Sequence, residues 1–182
     1  MIFTLDNAIL DFVRNNLTSY ISDRIMLFIT SLGNFGAIWI MSALIFIAIK
    51  KHRELGVAMM LSLIIALLVG NIILKPIVHR NRPFVNESQI DVLVEPTDYS
   101  FPSGHAFSSF AAAITILCYK KRWGILAIVL ASSIAFSRIY LYVHYPSDVL
   151  TGLVLGIGAG IASYKLIANQ KFFRRAKHGN IT

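Results

Sequence analysis

Residues 54–74 read ELGVAMMLSLIIALLVGNIIL, and the only charge among these 21 residues is Glu54 at the start. A helix needs about 20 mostly apolar residues to cross the hydrocarbon of a bilayer, so this run predicts a membrane span. Working outward, comparable runs occur at about 26–49, 104–119, 123–141 and 147–168. The 26–49 run is interrupted by Gly33, Asn34 and Gly36, which predicts a short helix, a break and a span. The 104–119 run is short and opens on a polar motif. Composition agrees with this reading: of 182 residues, 56% are apolar and only 14% charged, against roughly a quarter charged in soluble domains. With a mean hydropathy of +0.67, the chain is not disordered, collagen-like or an ordinary soluble domain. The predicted fold is all-α, an integral membrane bundle of about five to six transmembrane helices.

Residues 1–22 differ from these runs. Leu5, Ile9, Phe12, Val13, Leu17 and Tyr20 recur at helical spacing, whereas Asp6, Asp11, Arg14, Asn15 and Asn16 are too polar to cross lipid. This pattern fits an amphipathic helix at the interface or, equally, one packed against the bundle; a sixth span here is the lesser reading. No basic segment precedes an apolar core, so a cleavable signal is not expected. The chain is read as one domain: an interfacial helix at 1–22, a transmembrane bundle at 26–168 and a basic cytoplasmic tail at 169–182.

Charge placement gives the topology. The chain carries 17 Lys and Arg against 9 Asp and Glu, a net +8. Ten of the 17 fall in three segments that share one side by parity. These are Lys50, Lys51 and Arg53; Lys120, Lys121 and Arg122; and Lys171, Arg174, Arg175 and Lys177. The positive-inside rule makes that side cytoplasmic, and the positive charge is explained without nucleic acid. The single cysteine, Cys118, excludes an intrachain disulfide and a Cys-rich zinc site. The loop at about 75–103 and the turn at about 142–146 then face outward. Glu87, Asp91, Glu95 and Asp98 lie in a stretch (84–100) without Lys or Arg. It reads as a solvated outer loop ahead of a lid or headgroup selector.

On the outward side four helix ends bring together Lys75, His79, Arg80, Arg82, Ser103, His105, Arg138, His144 and Asp148. Lys75, Arg82 and Arg138 are suited to a doubly charged anion, since guanidinium groups match phosphate oxygens in pairs. Pro102-Ser103-Gly104-His105 opens a helix, where free backbone amides favour an anion, and Gly104 permits close approach of the backbone. Asp148 follows His144 by four residues and can accept a hydrogen bond from one imidazole nitrogen, leaving the other to attack. His105 is placed to act as an acid. A nucleophilic histidine, a second histidine and a cationic cradle fit phosphoryl transfer through a phosphohistidine.

Each residue also has a plainer reading. Lys75 and Arg82 suit snorkelling cations, Arg138 suits a helix C-terminus, and Ser103 and Asp148 suit N-caps. His79 and Arg80 are read as edge residues, Ser137 as packing, and Tyr140, Tyr142 and Tyr145 as an aromatic belt. Reading the histidines as metal ligands is disfavoured.

Three motifs carry a resemblance: Lys75-x6-Arg82-Pro83, Pro102-Ser103-Gly104-His105, and Ser137-Arg138-x5-His144-x3-Asp148. In order and spacing they resemble those of the phosphatidic acid phosphatase type 2 superfamily. The resemblance implies that His144 is the nucleophile, Asp148 its orienting partner and His105 the acid and later base. It implies that Lys75, Arg82 and Arg138 clamp phosphate, with Ser103 and Gly104 as donors, and that no metal or other cofactor is needed. The expected partners are the bilayer and a lipid phosphate, among them undecaprenyl diphosphate, phosphatidylglycerophosphate, phosphatidic acid or lipid A phosphate. Some undecaprenyl diphosphate phosphatases of this family carry an acid where this chain has Gly104, which tilts the expectation slightly toward a broad or glycerophospholipid phosphatase. A non-catalytic anion or lipid-phosphate binding protein, or a transporter, stays open as the alternative. Cations gathered at one membrane edge favour the enzyme over a midplane transport site.

Overall fold

A computed structural model describes the backbone of residues 2–86 and 92–179, and the side chains of residues 4–85 and 92–169. Glu87 and Asp91 lie outside the described residues, as do the side chains of Lys171, Arg174, Arg175 and Lys177. The chain forms α1 (Ile2–Leu17), α2 (Tyr20–Leu32), α3 (Ala37–Ala48), α4 (Arg53–Ile65), α5 (Lys75–Val78) and α6 (Pro83–Asn86), then α7 (Gly104–Tyr119), α8 (Lys121–Tyr140) and α9 (Pro146–Gly179). No strand occurs among the described residues.

Every apolar run of the sequence is helical. Among the described residues, three helices are long and apolar enough to cross a membrane, Lys50–Val85, Lys121–Tyr140 and Pro146–Asn169, or four spans if α2 and α3 together make one. The predicted break in the first run is present: α2 and α3 are bent by 43° around a 3-10 turn, Asn34–Gly36. Phe35 (φ 53°) and Gly36 (φ 68°) both occupy the left-handed region there, which Gly36 adopts freely and Phe35 does not. The run at 54–74 extends further than its composition suggested. It passes through a π-helical segment, Ala66–Leu74, into α5. The widened turns sit directly before Pro76, whose ring would clash with the carbonyl four residues back in a regular α-helix.

The central element is α7, packed by α4, α8 and α9. Nine of its residues are buried, four of them alanines. Gly152, Gly156 and Gly160 form an i, i+4 stripe on α9. A Cβ at these positions would lie 2.7, 2.8 and 2.8 Å from the carbonyl oxygens of Ser103, Phe107 and Ala111. Small residues at this spacing let two backbones touch, the arrangement that membrane helices use in place of a hydrophobic driving force. Across the core, the Trp39 indole N–H donates to Ser109 Oγ at 2.9 Å and ties α3 to α7. At 16 residues, α7 is only about 24 Å long, so its N-terminal motif begins inside the bundle rather than above it.

Helix α1 turns Asp6, Leu10 and Val13 inward and leaves Leu5 and Phe12 exposed. It packs on α8 and α9, so it is both amphipathic and docked. Its Asp6 Oδ1 accepts from the Ser147 N–H at 2.9 Å, in the first turn of α9. Asp6 Oδ2 accepts from Ser147 Oγ at 2.5 Å and from Arg80 Nη2 at 2.8 Å. A carboxylate from α1 thus caps a helix that starts 140 residues later.

Two stability outcomes follow. Gly156→Val should destabilise the protein by about 1–3 kcal/mol through overpacking. Asp6→Ala should cost about 1–3 kcal/mol through the lost cap and the weakened buried ion pair. Thermal unfolding in detergent checks both, and an unchanged midpoint in either variant contradicts the packing described.

Candidate active site

The helix ends that carry these motifs close around a cavity of about 640 Å³. One end is polar, lined by Lys75, Arg82, Asp98, His105, Arg138 and His144. The rest is largely apolar, with Ile40, Met60, Leu63, Ile64 and Leu67 on its walls. An elongated amphipathic ligand matches that division.

The three cations do not snorkel. Lys75, Arg82 and Arg138 are buried, at 6%, 3% and 3% exposure, at different helix ends. Arg138 Nη1 donates to Thr30 Oγ1 at 2.7 Å, while its Nε is buried with no hydrogen-bond partner. Lys75 and Arg82 share an internal anion that the sequence did not single out. Asp98 Oδ2 pairs with Lys75 Nζ, and Asp98 Oδ1 accepts from Arg82 Nη2 at 2.5 Å. Arg82 Nε also donates to the Asp98 carbonyl at 2.8 Å. Burial alone would raise the Asp98 pKa, but the hydrogen bond and charge of Lys75, followed by those of Arg82, bring it down to about 2.

His144 is 1% exposed in the turn between α8 and α9. Its Nε2 faces the cations, 3.1 Å from Arg82 Nη1. Because the guanidinium can only donate, that nitrogen is the lone-pair side and Nδ1 carries the proton. The Nδ1 atom is 3.7 Å from Asp148 Oδ2, beyond hydrogen-bond reach. The sequence spacing suggested a direct bond, but here the Ser100 hydroxyl stands between the two side chains. It lies 3.3 Å from His144 Nδ1 and donates to Asp148 Oδ2 at 2.5 Å. Burial and the positive charges of Arg82, Arg138 and Lys75 push the His144 pKa well below the usual histidine value, which keeps the ring neutral.

Asp148 is fully buried. Besides Ser100, it accepts from the Tyr145 N–H at 3.0 Å and from Arg80 Nη1 at 2.5 Å. Arg80 was expected at the membrane edge, yet its side chain is only 15% exposed. It bridges Asp148 to Asp6 and lies 3.9 Å over the Tyr145 ring. The tyrosines depart from the belt reading as well. Tyr140, Tyr142 and Tyr145 are each 5% exposed, and the Tyr140 hydroxyl donates to Asp23 at 2.7 Å. His79 does remain exposed, stacked edge-on against Tyr99.

His105 lines the cavity in the first turn of α7. Its Nε2 is 3.1 Å from Asn34 Oδ1, so the break between α2 and α3 braces the second histidine. Gly104 also lines the cavity, and a Cβ there would lie 3.0 Å from Asn71 Oδ1. Ser103 is fully buried. Its Oγ caps α7 through the Ala106 N–H, and it is not among the residues lining the cavity.

Sequence reasoning therefore missed Ser100 altogether, and it named Asp98, Arg80, Asp6 and Asn34 without the contacts that they make at this site. The acidic, cation-free stretch opposite a cationic pocket was a usable signal for Asp98 through charge complementarity. Asp6 gave none, because its partners are 74 and 141 residues away.

The His144 environment has a measurable consequence. Unfolded histidine takes up a proton near pH 6.5, whereas folded His144 does so only well below that value. Unfolding therefore binds a proton as the pH falls below 6.5, and its contribution to stability is lost in that direction. The thermal midpoint should drop between pH 6.5 and 5 more steeply in the wild type than in His144→Gln. Parallel curves would contradict a buried neutral imidazole.

Comparison with known proteins agrees with this geometry. The model of the PAP2 superfamily matches residues 54–172. The chain is 35% identical over 135 residues to an undecaprenyl-diphosphatase of Sulfolobus acidocaldarius, a match that covers 72% of this chain and 64% of that relative. It is 36% identical over 148 residues to a lipid A 4'-phosphatase of Bacteroides thetaiotaomicron, covering 73% and 65%. The chain thus spans slightly under two thirds of these relatives' lengths. Among solved structures, it is similar to the transmembrane PAP2 type phosphatidylglycerolphosphate phosphatase of Bacillus subtilis. That likeness has a TM-score of 0.71 at 27% identity and covers 92% of this chain and 85% of the other. Aquifex aeolicus LpxE gives a TM-score of 0.75 at 26% identity, covering 88% and 95%. Both lines of comparison, together with the clustered histidines and cations, lead to one conclusion: the chain belongs to the PAP2 superfamily.

Proposed function

We propose that this chain hydrolyses a membrane lipid phosphate or diphosphate at the extracytoplasmic face of the cell membrane, through a phosphohistidine and without a metal. The observation that carries this reading is His144 Nε2, buried and facing the donor-only guanidinium of Arg82 at the head of a cavity with apolar walls. The side is inferred from the basic segments, which share the opposite end of the bundle by parity.

In the proposed reaction the phosphate lies on Lys75, Arg82 and Arg138, with the Gly104 amide at the positive end of α7. His144 Nε2 attacks the terminal phosphorus in line, and its bond to the leaving oxygen breaks, the lipid alkoxide oxygen of a monoester or the bridging oxygen of a diphosphate. His105, protonated for this step, gives its proton to that oxygen. Neutral His105 then takes a proton from water as the water oxygen bonds to phosphorus and the N–P bond breaks. Inorganic phosphate leaves, and both histidines return to their starting states. Asp148 acts on His144 through Ser100, holding the proton on Nδ1 and stabilising positive charge as it develops on the ring.

Candidate substrates are undecaprenyl diphosphate, phosphatidylglycerophosphate and phosphatidic acid. The similar proteins named above include an undecaprenyl-diphosphatase and a phosphatidylglycerolphosphate phosphatase, one of the polyprenyl and one of the glycerophospholipid class. Gly104, lined by Asn71 rather than carrying an acid, favours a broad or glycerophospholipid preference.

The direct test is phosphate release by the purified protein in detergent with excess EDTA, offering these three lipids beside a water-soluble phosphate ester. Release from lipid in EDTA is the expected outcome. His144→Ala should lower kcat/KM at least about 1,000-fold while still binding lipid, and rapid quenching of the wild type should trap phosphate in an acid-labile, alkali-stable linkage. Lipid binding without release in the wild type would move the chain to the binding or transport reading. Ser100→Ala should lower kcat by on the order of 10- to 100-fold with KM little changed. Full activity in that variant contradicts the hydroxyl bridge.

A further inference from the structure

We propose that Asp98 is a tethered competitor for the phosphate clamp, and that it sets the charge a lipid headgroup must carry to enter. This rests on the reading that Lys75, Arg82 and Arg138 receive the substrate's phosphate.

Asp98 occupies two of the three cations, pairing with Lys75 and Arg82 at once. The cations themselves are nearly inaccessible, their side chains 7% and 4% exposed. The Asp98 side chain is 53% exposed and comes from the segment that also lays Val94 and Pro96 on the cavity wall. It can therefore leave to water, whereas Asp148, at 0% exposure, cannot. The third cation is not satisfied in the same way, since Arg138 Nε is buried without a partner. A planar carboxylate bridges two of the groups. A terminal phosphoryl group has three free oxygens and can engage all three.

Charge then decides the exchange. Phosphate monoesters carry about −1.5 to −2 at pH 7, and diphosphates carry more. The phosphodiesters of the surrounding bilayer carry a single negative charge, no more than Asp98. A tethered group competes at millimolar effective concentration or above, so a monoanionic headgroup gains nothing by displacing it. A dianion gains both the extra charge and the Arg138 contact. The clamp is thereby kept clear of bulk phospholipid while staying open to the rarer monoester or diphosphate.

The test compares wild type, Asp98→Asn and Asp98→Ala in mixed micelles. Phosphatidic acid serves as substrate and phosphatidylglycerol as the monoanionic challenger. In both variants phosphatidylglycerol should become a competitive inhibitor with a Ki at least about tenfold lower than in the wild type, the scale of one charge-assisted hydrogen bond. KM for phosphatidic acid should fall, and Asp98→Glu should keep wild-type selectivity. Equal inhibition of wild type and variants, or a raised KM in both, overturns the proposal. Inorganic phosphate binding, read as a shift of the thermal midpoint, does not depend on turnover. Tighter phosphate binding by both variants supports the competitor even if no lipid is hydrolysed, an outcome that would defeat the phosphatase reading alone. Equal phosphate binding overturns the competitor.

Discussion

A carboxylate buried to zero exposure at the end of an apolar bundle is stable only if its charge is met by donors, and Asp148 is that group. Its donors come from three places: Arg80 after α5, Ser100 before α7 and Tyr145 before α9. The same requirement passes outward. Arg80, nearly buried, needs a second anion, and Asp6 of α1 supplies it. Asp6 in turn meets an unsatisfied amide at the start of α9. Pairing buried charge thus gathers four separated segments around one imidazole, and α1 becomes part of the site's support rather than a peripheral element.

Close helix contact sets where this chemistry sits. The glycine stripe on α9 brings its backbone against α7, so the starts of both helices lie side by side. The Ser103 N–H donating to the Asp148 carbonyl at 3.1 Å records that proximity. His105 opens one helix and Asp148 the other, so the separation of the two histidines depends on backbone packing within the bundle. Such packing is rigid, and the reaction proposed above, with phosphoryl transfer to His144 and proton transfer at His105, requires fixed placement.

The cavity joins two environments that rarely meet in a soluble protein. Its apolar length suits a lipid tail, and its head concentrates three cations with one tethered carboxylate. That carboxylate offsets part of the cost of burying Lys75 and Arg82 close to Arg138, because it is the anion that both of them contact. On the proposal made above, headgroup selection and the charge balance of the buried cations are properties of the same ion pairs.

The sequence by itself determined the helical runs, the break at Gly33–Gly36, the gathering of cations and histidines on one side, and the order of the motifs. These are local or counting properties: apolar length, helix breakers and parity. It also located Lys75, Arg82, His105, Arg138, His144 and Asp148, since their motifs sit at helix ends that parity places together. The tertiary structure alone decided that Asp98 pairs with Lys75 and Arg82, that Ser100 stands between His144 and Asp148, and that Asn34 braces His105. It also decided that Arg80 and the three tyrosines turn inward. Those outcomes depend on the path of an irregular segment and on the rotation of packed helices, which bring residues up to 141 positions apart within hydrogen-bond distance. No local pattern encodes such a pairing, because the free energy that selects it arises only once the charges are buried together.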